Sequence, residues 1–367
     1  MDIGSLPTIL DVVDQISSLE NQLVLPHISQ VPSPDIYDEG RFAYVSESGD
    51  RSIQHLMPTS QSPFIFYRGQ SRYYPVCIPT LYRGNNRDTS IIEEDILCNR
   101  LKICELALLL SAHPVLMEVG QNTFVNHVTL AQHYGLPTEY LDLTNSKWVA
   151  AFFACTSYNY DTDTYHPVGR DYYEGYGVMY ISNTLGDVNM RKAFFDKIDV
   201  IGYQYFDRPT RQSSFGYRLD KGQNFNDSPF FEKVLFRHDK EASEIVFNMA
   251  YRQNRFIPRD SLSMLARKVA ESKEVSRAAL NLCWGYYYQD KAPHYLDYIC
   301  RKQGLEIREI SSPIVQFSLE ELNHEWEVWN EYGREELKSK ILRTRPVTTI
   351  KLTDLNDKED AEKVNNA

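Results

Sequence analysis

The sequence lacks the short motifs that identify several large classes of enzyme. It has no Walker A or GxGxxG phosphate loop, no GxSxG nucleophile elbow, no HExxH zinc motif and no internal repeat. None of its six cysteines belongs to a CxxC pair or a Cys/His ligand spacing, which argues against a bound metal. Most lie in apolar contexts and are expected to be reduced core residues, as in a reducing cytosol. They are Cys77, Cys98, Cys104, Cys155, Cys283 and Cys300.

An excess of positive charge and a long apolar run are absent as well. Lysine and arginine number 39 against 50 aspartates and glutamates, and the net charge of −11 disfavours nucleic acid as a partner. A local basic groove around Arg68, Arg72, Arg83 and Arg87 remains the alternative. No apolar run approaches the ~20 residues that span a bilayer, and no charged-then-apolar signal segment is found at the N-terminus. We therefore expect a cytoplasmic protein without membrane contact.

The chain does contain one segment in which several structural signals follow closely, Leu130 to Cys155, LAQHYGLPTEYLDLTNSKWVAAFFAC. A helix is predicted to end before Gly135, which suits a left-handed C-cap, and Pro137 cannot continue that helix. Residues 144–146 offer three alternative N-caps for a second helix. The apolar residues of this second helix recur at helical spacing, so we expect it to be deeply buried, with Phe153 in the core.

Apolar runs and helical periodicities predict a mixed α+β domain. Four segments are expected to form a small central sheet: Phe64–Tyr67, Val178–Ile181, Phe215–Leu219 and Lys233–Phe236. Three helices are predicted to pack on this sheet, over residues 91–110, 122–134 and 145–155. Residues 157–176 show no clear period and are predicted to form an insertion or a mobile loop.

Composition divides the chain into four parts. Residues 1–60 are expected to form an N-terminal helix and a loop-rich arm, and residues 61–270 the α+β domain. Residues 271–342 are a predicted helical C-terminal extension, whose aromatic-rich part (276–303) is suited to contact a protein partner. Residues 343–367 form a polar tail that is expected to be disordered.

Several blocks of the sequence resemble, in order, those of the FRG domain family, which is named for its aromatic-Arg-Gly motif. The blocks are FYRGQS (66–71), IPTLYR (78–83), the 130–155 segment, GYGVMYIS (175–182), RPTRQSSFG (208–216) and FIPRDSLSMLA (256–266). The resemblance spans about residues 60–270. It implies an FRG-like domain of the kind found widely in bacteria, often as a stand-alone protein.

The order of these blocks is also similar to that of ADP-ribosyltransferases. In those enzymes an arginine or histidine ends a first strand, a Ser/Thr motif precedes an apolar helix, and a glutamate lies on a later strand. This similarity implies an NAD site where Arg68 holds the pyrophosphate and Thr144 or Ser146 supports the nicotinamide ribose. The residues implied as catalytic are Arg68, His133, Asp142, Thr144 and Gln212. Those implied as ligand-binding are Gln70, Gln132, Ser146 and Arg208.

The chain departs from the transferase pattern at the later block, where Gln212 stands and no glutamate is found. A glutamine accepts hydrogen bonds but supplies no negative charge. Glu139, within the central segment, is a further candidate carboxylate.

The resemblance implies two functions of different class. One is an NAD-dependent, ADP-ribosyltransferase-like enzyme, such as a toxin or defence effector. The other is a non-catalytic module that senses a nucleotide or another ligand in bacterial stress or phage defence. A third interpretation treats His133, Asp142 and Thr144 only as helix caps and satisfied polar core residues, which is the commoner fate of such side chains.

Overall fold

The computed structural model describes residues 2–23, 42–46, 54–58, 65–83, 93–119, 126–159, 162, 164–182, 193–194, 196–201, 205–251, 256–257, 260–292 and 294–334. In this part of the chain a six-stranded antiparallel sheet is packed against helices. The fold class is α+β, as predicted from the sequence. None of the helices described is long and apolar enough to cross a membrane.

The strands are short and belong to one large sheet and three small ones. They are β1 Phe42–Ser46, β2 Gln54–Pro58, β3 Tyr67–Gln70, β4 Tyr140–Thr144, β5 Thr156–Asn159, β6 Thr164–Pro167, β7 Tyr176–Ser182, β8 Ile198–Val200, β9 Ser214–Arg218, β10 Phe231–Arg237, β11 Glu274–Ser276 and β12 Glu306–Arg308. The large sheet has the order β10-β7-β3-β4-β9-β8, so β3 and β4 lie at its centre. The pairs β1–β2 and β5–β6 are hairpins, and β11–β12 is a parallel pair.

The helices surround this sheet and extend beyond it toward the C-terminus. They are α1 Ile9–Leu23, α2 Glu93–Ser111, α3 Pro114–Val119, α4 His127–His133, α5 Lys147–Ala154, α6 Asp207–Arg211, α7 Lys240–Tyr251, α8 Ser261–Glu271, α9 Arg277–Tyr287, α10 His294–Lys302 and α11 Leu319–Val328. Short 3-10 turns lie at Ile3–Ser5, Thr80–Tyr82 and Phe225–Asp227, and a π-helical turn lies at Trp329–Gly333.

The first predicted strand is displaced along the chain. It was expected at Phe64–Tyr67, but β3 begins at Tyr67 and Phe64 lies outside the described residues. Phe66 precedes the strand, and both of its backbone groups bond to Ser182. The N–H of Phe66 donates to Oγ of Ser182 at 2.7 Å, and the backbone oxygen of Phe66 accepts from the N–H of Ser182 at 2.8 Å. An apolar run marks burial, whereas the pairing partners decide where a strand starts. The other three predicted strands are found in β7, β9 and β10.

Two further elements differ from the expectations. The segment Tyr140–Thr144 was not assigned as a strand, yet it is β4 and pairs with β9 over its whole length. Part of residues 157–176, predicted to be a loop, belongs to the β5–β6 hairpin. Both are short, and β4 is interrupted by a polar residue, Asp142, so neither shows a clean alternation of apolar and polar side chains.

The helix caps follow the sequence closely. Gly135 has φ +85° directly after α4, and the N–H of Leu136 reaches back to the oxygen of Ala131 at 3.1 Å. Of the three alternative N-caps of α5, Ser146 is the one used, since its hydroxyl accepts from the N–H of Val149. Asp260 is the N-cap of α8, and its side chain accepts from the N–H of Ser263 at 2.9 Å.

Helix α5 lies directly on strand β3, and this contact explains the Arg-Gly motif. A Cβ atom on Gly69 would lie 1.8 Å from the carbonyl oxygen of Ala150 and 2.8 Å from Cβ of Ala154. No side chain fits there, so residue 69 has to be glycine for the helix to approach this closely. On the same helix Phe152 is fully buried, while Phe153, which was expected in the core, is only half-buried.

The C-terminal helices α9 and α10 pack against α2. Most tyrosines of this aromatic-rich region contact one another or Arg100, whose guanidinium carbon lies 4.5 Å from the ring centre of Tyr287. Tyr286 and Tyr298 remain exposed. The expected contact of this region with a protein partner therefore stays a prediction that would involve these two rings.

We predict that Gly69→Ala destabilises the protein strongly, because the new methyl group meets backbone atoms and helix α5 has to move. The expected loss is at least about 3 kcal/mol of unfolding free energy, at the upper end of the cost of overpacking. Gly285→Ala is the matched control: it lies in helix α9 with nothing within 4 Å of an added Cβ. It should stabilise the protein by about 0.5–1 kcal/mol. Urea unfolding measures both, and an equal effect of the two substitutions would contradict this packing.

Candidate functional site

The candidate site lies where the two central strands separate. β3 and β4 pair only through Tyr67 and Thr144, and Arg68 is the next residue after Tyr67. Its Nη1 donates to the backbone oxygen of Asp142 at 2.8 Å. Nε of Arg68 is buried and has no hydrogen-bond partner in the described part of the chain. Arg68 therefore joins the two strands through one nitrogen and keeps further N–H groups for another partner.

A second arginine adds to the positive charge beside Arg68. Arg83 follows the Thr80–Tyr82 turn, and its Nε donates to the oxygen of Ile78 at 2.9 Å. Although the side chain is exposed, the atoms around it desolvate the guanidinium and lower its pKa, and the positive charge of Arg68 lowers it further. Within the described residues neither arginine forms a salt bridge. Asp142 is near enough to Arg83 to act on it with its negative charge.

The carboxylate of Asp142 contacts two residues of helix α4, Gln132 and His133. Its side chain is 45% exposed, so it is open to solvent. Oδ2 accepts from Nε2 of Gln132 at 3.4 Å, and the amide of Gln132 is oriented by Thr138, whose hydroxyl donates to Oε1 at 2.6 Å. Oδ1 lies 3.6 Å from Nε2 of His133. Gln132 and His133 reach the strand because the Gly135 cap ends α4 just before β4.

The imidazole of His133 is held in one tautomer. Nδ1 lies 3.1 Å from Oε1 of Gln212, and Nε2 of that amide donates to the backbone oxygen of Phe256 at 2.8 Å. The second bond fixes the amide so that its oxygen faces the ring, and Nδ1 must therefore carry the hydrogen. In the neutral ring Nε2 then has a free lone pair, and it has no hydrogen-bond partner in the described residues.

Burial determines the charge of His133. Desolvation lowers its pKa below the ordinary value of 6.5, and the negative charge of Asp142 acts in the opposite direction without overcoming it. The positive charge of Arg208 lowers the pKa further, while the hydrogen bond to Gln212 raises it. His133 is therefore neutral at pH 7 and presents Nε2 as a hydrogen-bond acceptor.

The segment that carries Gln212 is held by β4. Thr144 donates through Oγ1 to the backbone oxygen of Gln212 at 2.7 Å, and the same hydroxyl accepts from the N–H of Ser146 at 3.0 Å. Ser213, next along the chain, has φ +44°, a left-handed conformation that a side chain rarely adopts. Such strain persists only where surrounding contacts impose it, which is common at functional sites.

The structure thus brings together most of the residues singled out from the sequence. Arg68, Gln132, His133, Asp142, Thr144, Ser146 and Gln212 are linked by the hydrogen bonds and close contacts described above. Arg208 lies beside them, with its guanidinium carbon 5.7 Å from the ring centre of Tyr134. Gln70 is apart from the group, and its Oε1 accepts from Sγ of Cys77 at 3.7 Å.

Several roles differ from those implied by the sequence. Both ends of the Gln212 amide are bonded within the protein, so the structure gives this residue a role in positioning His133. Ser146 is a helix cap. Glu139 makes no hydrogen bond to the group within the described residues, and its charge acts on Tyr82, Arg100 and Tyr287 instead.

The sequence interpretation missed the contributions of Thr138 and Phe256, and it noted Arg83 only as part of a basic groove. Thr138 and Phe256 act through one hydroxyl and one carbonyl oxygen, which leave no pattern in a sequence. Arg83 is the last residue of the IPTLYR block, and its place in that block was the sequence feature that could have identified it as a site residue. In the described part of the chain no group of three or more His, Cys, Asp or Glu residues is arranged to hold a metal ion.

We predict that His133 is neutral at pH 7, with its proton on Nδ1. Two-bond ¹⁵N–¹H correlation spectra of the imidazoles should show a protonated Nδ1 and an unprotonated Nε2 at this residue. Gln212→Leu removes the acceptor and should release the tautomer. A proton on Nε2 at pH 7 in the wild type would contradict the assigned amide orientation.

We also predict that the protein loses stability as the pH falls below about 6.5. Burial lowers the pKa of His127, His133 and His238, so the unfolded chain binds more protons than the folded one below the ordinary value of 6.5. Their stabilising contribution is complete above that pH and is lost as the pH falls toward the folded pKa values. Urea unfolding at pH 7.5 and pH 5.5 measures the difference, and greater stability at the lower pH would contradict it.

Comparison with known proteins agrees with the resemblance of the central blocks. The family model of the FRG domain matches residues 64–163, a range that includes β3, α4, β4 and α5. No curated protein and no solved structure matches the chain. The match covers Arg68, His133 and Asp142 but ends before Arg208 and Gln212. It supports the FRG resemblance and gives no support to the similarity with ADP-ribosyltransferases. Residues 64–163 of this chain are an FRG domain.

Proposed function

We propose that the FRG domain binds a small phosphate-bearing ligand of the nucleotide class beside Asp142, with Arg68 as its anion-binding residue. The observation that carries this proposal is the pair of arginines at the opening between β3 and β4. Arg68 and Arg83 lie close enough to affect each other, and neither has a salt bridge within the described residues. Two neighbouring cations that form no salt bridge attract an anion, and a phosphate group satisfies both.

The geometry of Arg68 suits this role better than a purely structural one. Nη1 is fixed by the backbone oxygen of Asp142, which orients the planar guanidinium. The remaining N–H groups form a fork that matches two phosphate oxygens. The alternative, in which Arg68 only links the two strands, leaves Nη2 of Arg68 without a hydrogen-bond partner in the described part of the chain.

A second candidate function is NAD-dependent ADP-ribosyl transfer, and the half-exposed carboxylate of Asp142 favours it. This carboxylate could supply the negative charge that Gln212 lacks. The nicotinamide would leave with the electron pair of its bond to the ribose, and Asp142 would stabilise the positive charge that develops on the sugar. An acceptor group would form the new bond and release its proton to water. A role in bacterial stress or phage defence fits either function and stays a prediction.

We predict that Arg68→Ala and Arg68→Lys both remain folded and bind ADP or NAD at least about tenfold more weakly than the wild type, equivalent to ~1.4 kcal/mol. Lysine does not restore binding because it lacks the planar fork. Arg301→Ala, an exposed arginine on α10, is the matched control and should bind as the wild type does. Titration calorimetry measures binding, and circular dichroism checks the fold.

Three outcomes separate the two functions and the structural alternative. Release of nicotinamide from NAD that depends on Asp142 would support the transferase. Saturable binding without such release supports the non-catalytic sensor. Unfolding of Arg68→Ala, or unchanged affinity in both Arg68 variants, would show that this arginine is structural.

A further inference from the structure

We propose that the exposed ring of Tyr74 is the surface on which the base of the ligand stacks. This inference rests on the proposed binding of a nucleotide-class ligand at Arg68 and Arg83, and it names the residue that would recognise the other end of that ligand. Tyr74 is the fourth residue after the end of β3, and it is 46% exposed. Proteins often hold a nucleotide base by stacking it on an aromatic side chain, because every base has a flat π-face.

The protein fixes the turn that carries Tyr74. The backbone oxygen of Tyr74 accepts from Nδ2 of Asn226 at 2.7 Å, and the same Nδ2 donates to the oxygen of Pro75 at 3.0 Å. Pro75 restricts the backbone directly after Tyr74. The guanidinium carbon of Arg72 lies 5.5 Å from the centre of the Tyr74 ring, a favourable cation–π contact. The ring is therefore positioned before a ligand binds, which lowers the cost of ordering it.

Arg72 is in turn held by the turn that precedes β7. Its Nη2 donates to Oε1 of Glu174 at 2.8 Å, and its guanidinium carbon lies 4.4 Å from the centre of the Tyr173 ring. Tyr173 has φ +45°, a left-handed conformation that is strained for a residue with a side chain. Because Glu174 neutralises Arg72, we assign this arginine to positioning Tyr74 and not to binding phosphate.

Tyr74 lies close to the proposed anion site. Burial raises the pKa of its phenol, and the positive charges of Arg72 and Arg83 act in the opposite direction. Arg83 is exposed and feels both the charge of Arg68 and that of Tyr74. One ligand can therefore place its phosphates on the arginine pair and its base on the ring.

The alternative gives Tyr74 only a structural role, in which its ring covers Arg72. This contact leaves almost half of Tyr74 open to solvent, although the turn around it is fixed by hydrogen bonds. Leaving an ordered aromatic ring exposed forgoes the stabilisation that its burial would give. A base stacked on the ring recovers this contribution, whereas the structural role alone does not.

The test compares ADP with inorganic pyrophosphate, which has no base, by titration calorimetry on the full-length protein. Tyr74→Leu is expected to weaken ADP at least about fivefold while pyrophosphate stays within about twofold of the wild type, because a stacked base is lost. Tyr74→Phe keeps the ring and should bind both ligands as the wild type does. Tyr298→Leu removes a tyrosine of α10 that is 59% exposed, and as the matched control it should change neither affinity. Circular dichroism checks the fold of each variant.

The outcomes distinguish this inference from the function on which it rests. If Tyr74→Leu weakens ADP and pyrophosphate by the same factor, or weakens neither, while Arg68→Ala weakens both, the stacking surface is wrong and the anion site stands. If Tyr74→Phe loses as much ADP affinity as Tyr74→Leu, the hydroxyl and not the ring makes the contact, and the inference is overturned. If the wild type binds neither ADP nor pyrophosphate, both proposals fail.

Discussion

The close contact between helix α5 and strand β3 is the constraint on which the rest of the site depends. Because Gly69 has no side chain, the backbone of Ala150 lies directly against the centre of the sheet. This contact fixes β3, and with it the guanidinium of Arg68 at the point where β3 and β4 separate. The same helix is capped by Ser146, whose N–H is tied through Thr144 to the segment of Gln212. One packing contact thus places groups from three distant parts of the chain.

The site is completed by residues that lie beyond the matched FRG domain. Gln212 gives His133 its tautomer, and Phe256 gives Gln212 its orientation, although both follow the end of the match at residue 163. The acceptor character of His133 is therefore a property of the larger fold. A shorter fragment would keep the imidazole and the carboxylate but lose the bond that decides which ring nitrogen carries the proton.

Local chemistry made the helix ends and most of the sheet predictable from the sequence. Gly135, Ser146 and Asp260 act as caps because their side chains, or the lack of one, determine the local backbone. Strand β4 was missed because Asp142 interrupts a short apolar run. The grouping of the polar residues followed from the order of the family blocks. Their individual roles did not, because the orientation of the Gln212 amide depends on a carbonyl oxygen 44 residues away.

We propose that Arg68 and Arg83 form one site for a phosphate-bearing ligand of the nucleotide class. A crystal structure of the protein with ADP tests it most directly. We expect phosphate oxygens within hydrogen-bond distance of Arg68 and Arg83. ADP bound at another place, or bound here with its phosphates away from Arg68, would contradict this proposal.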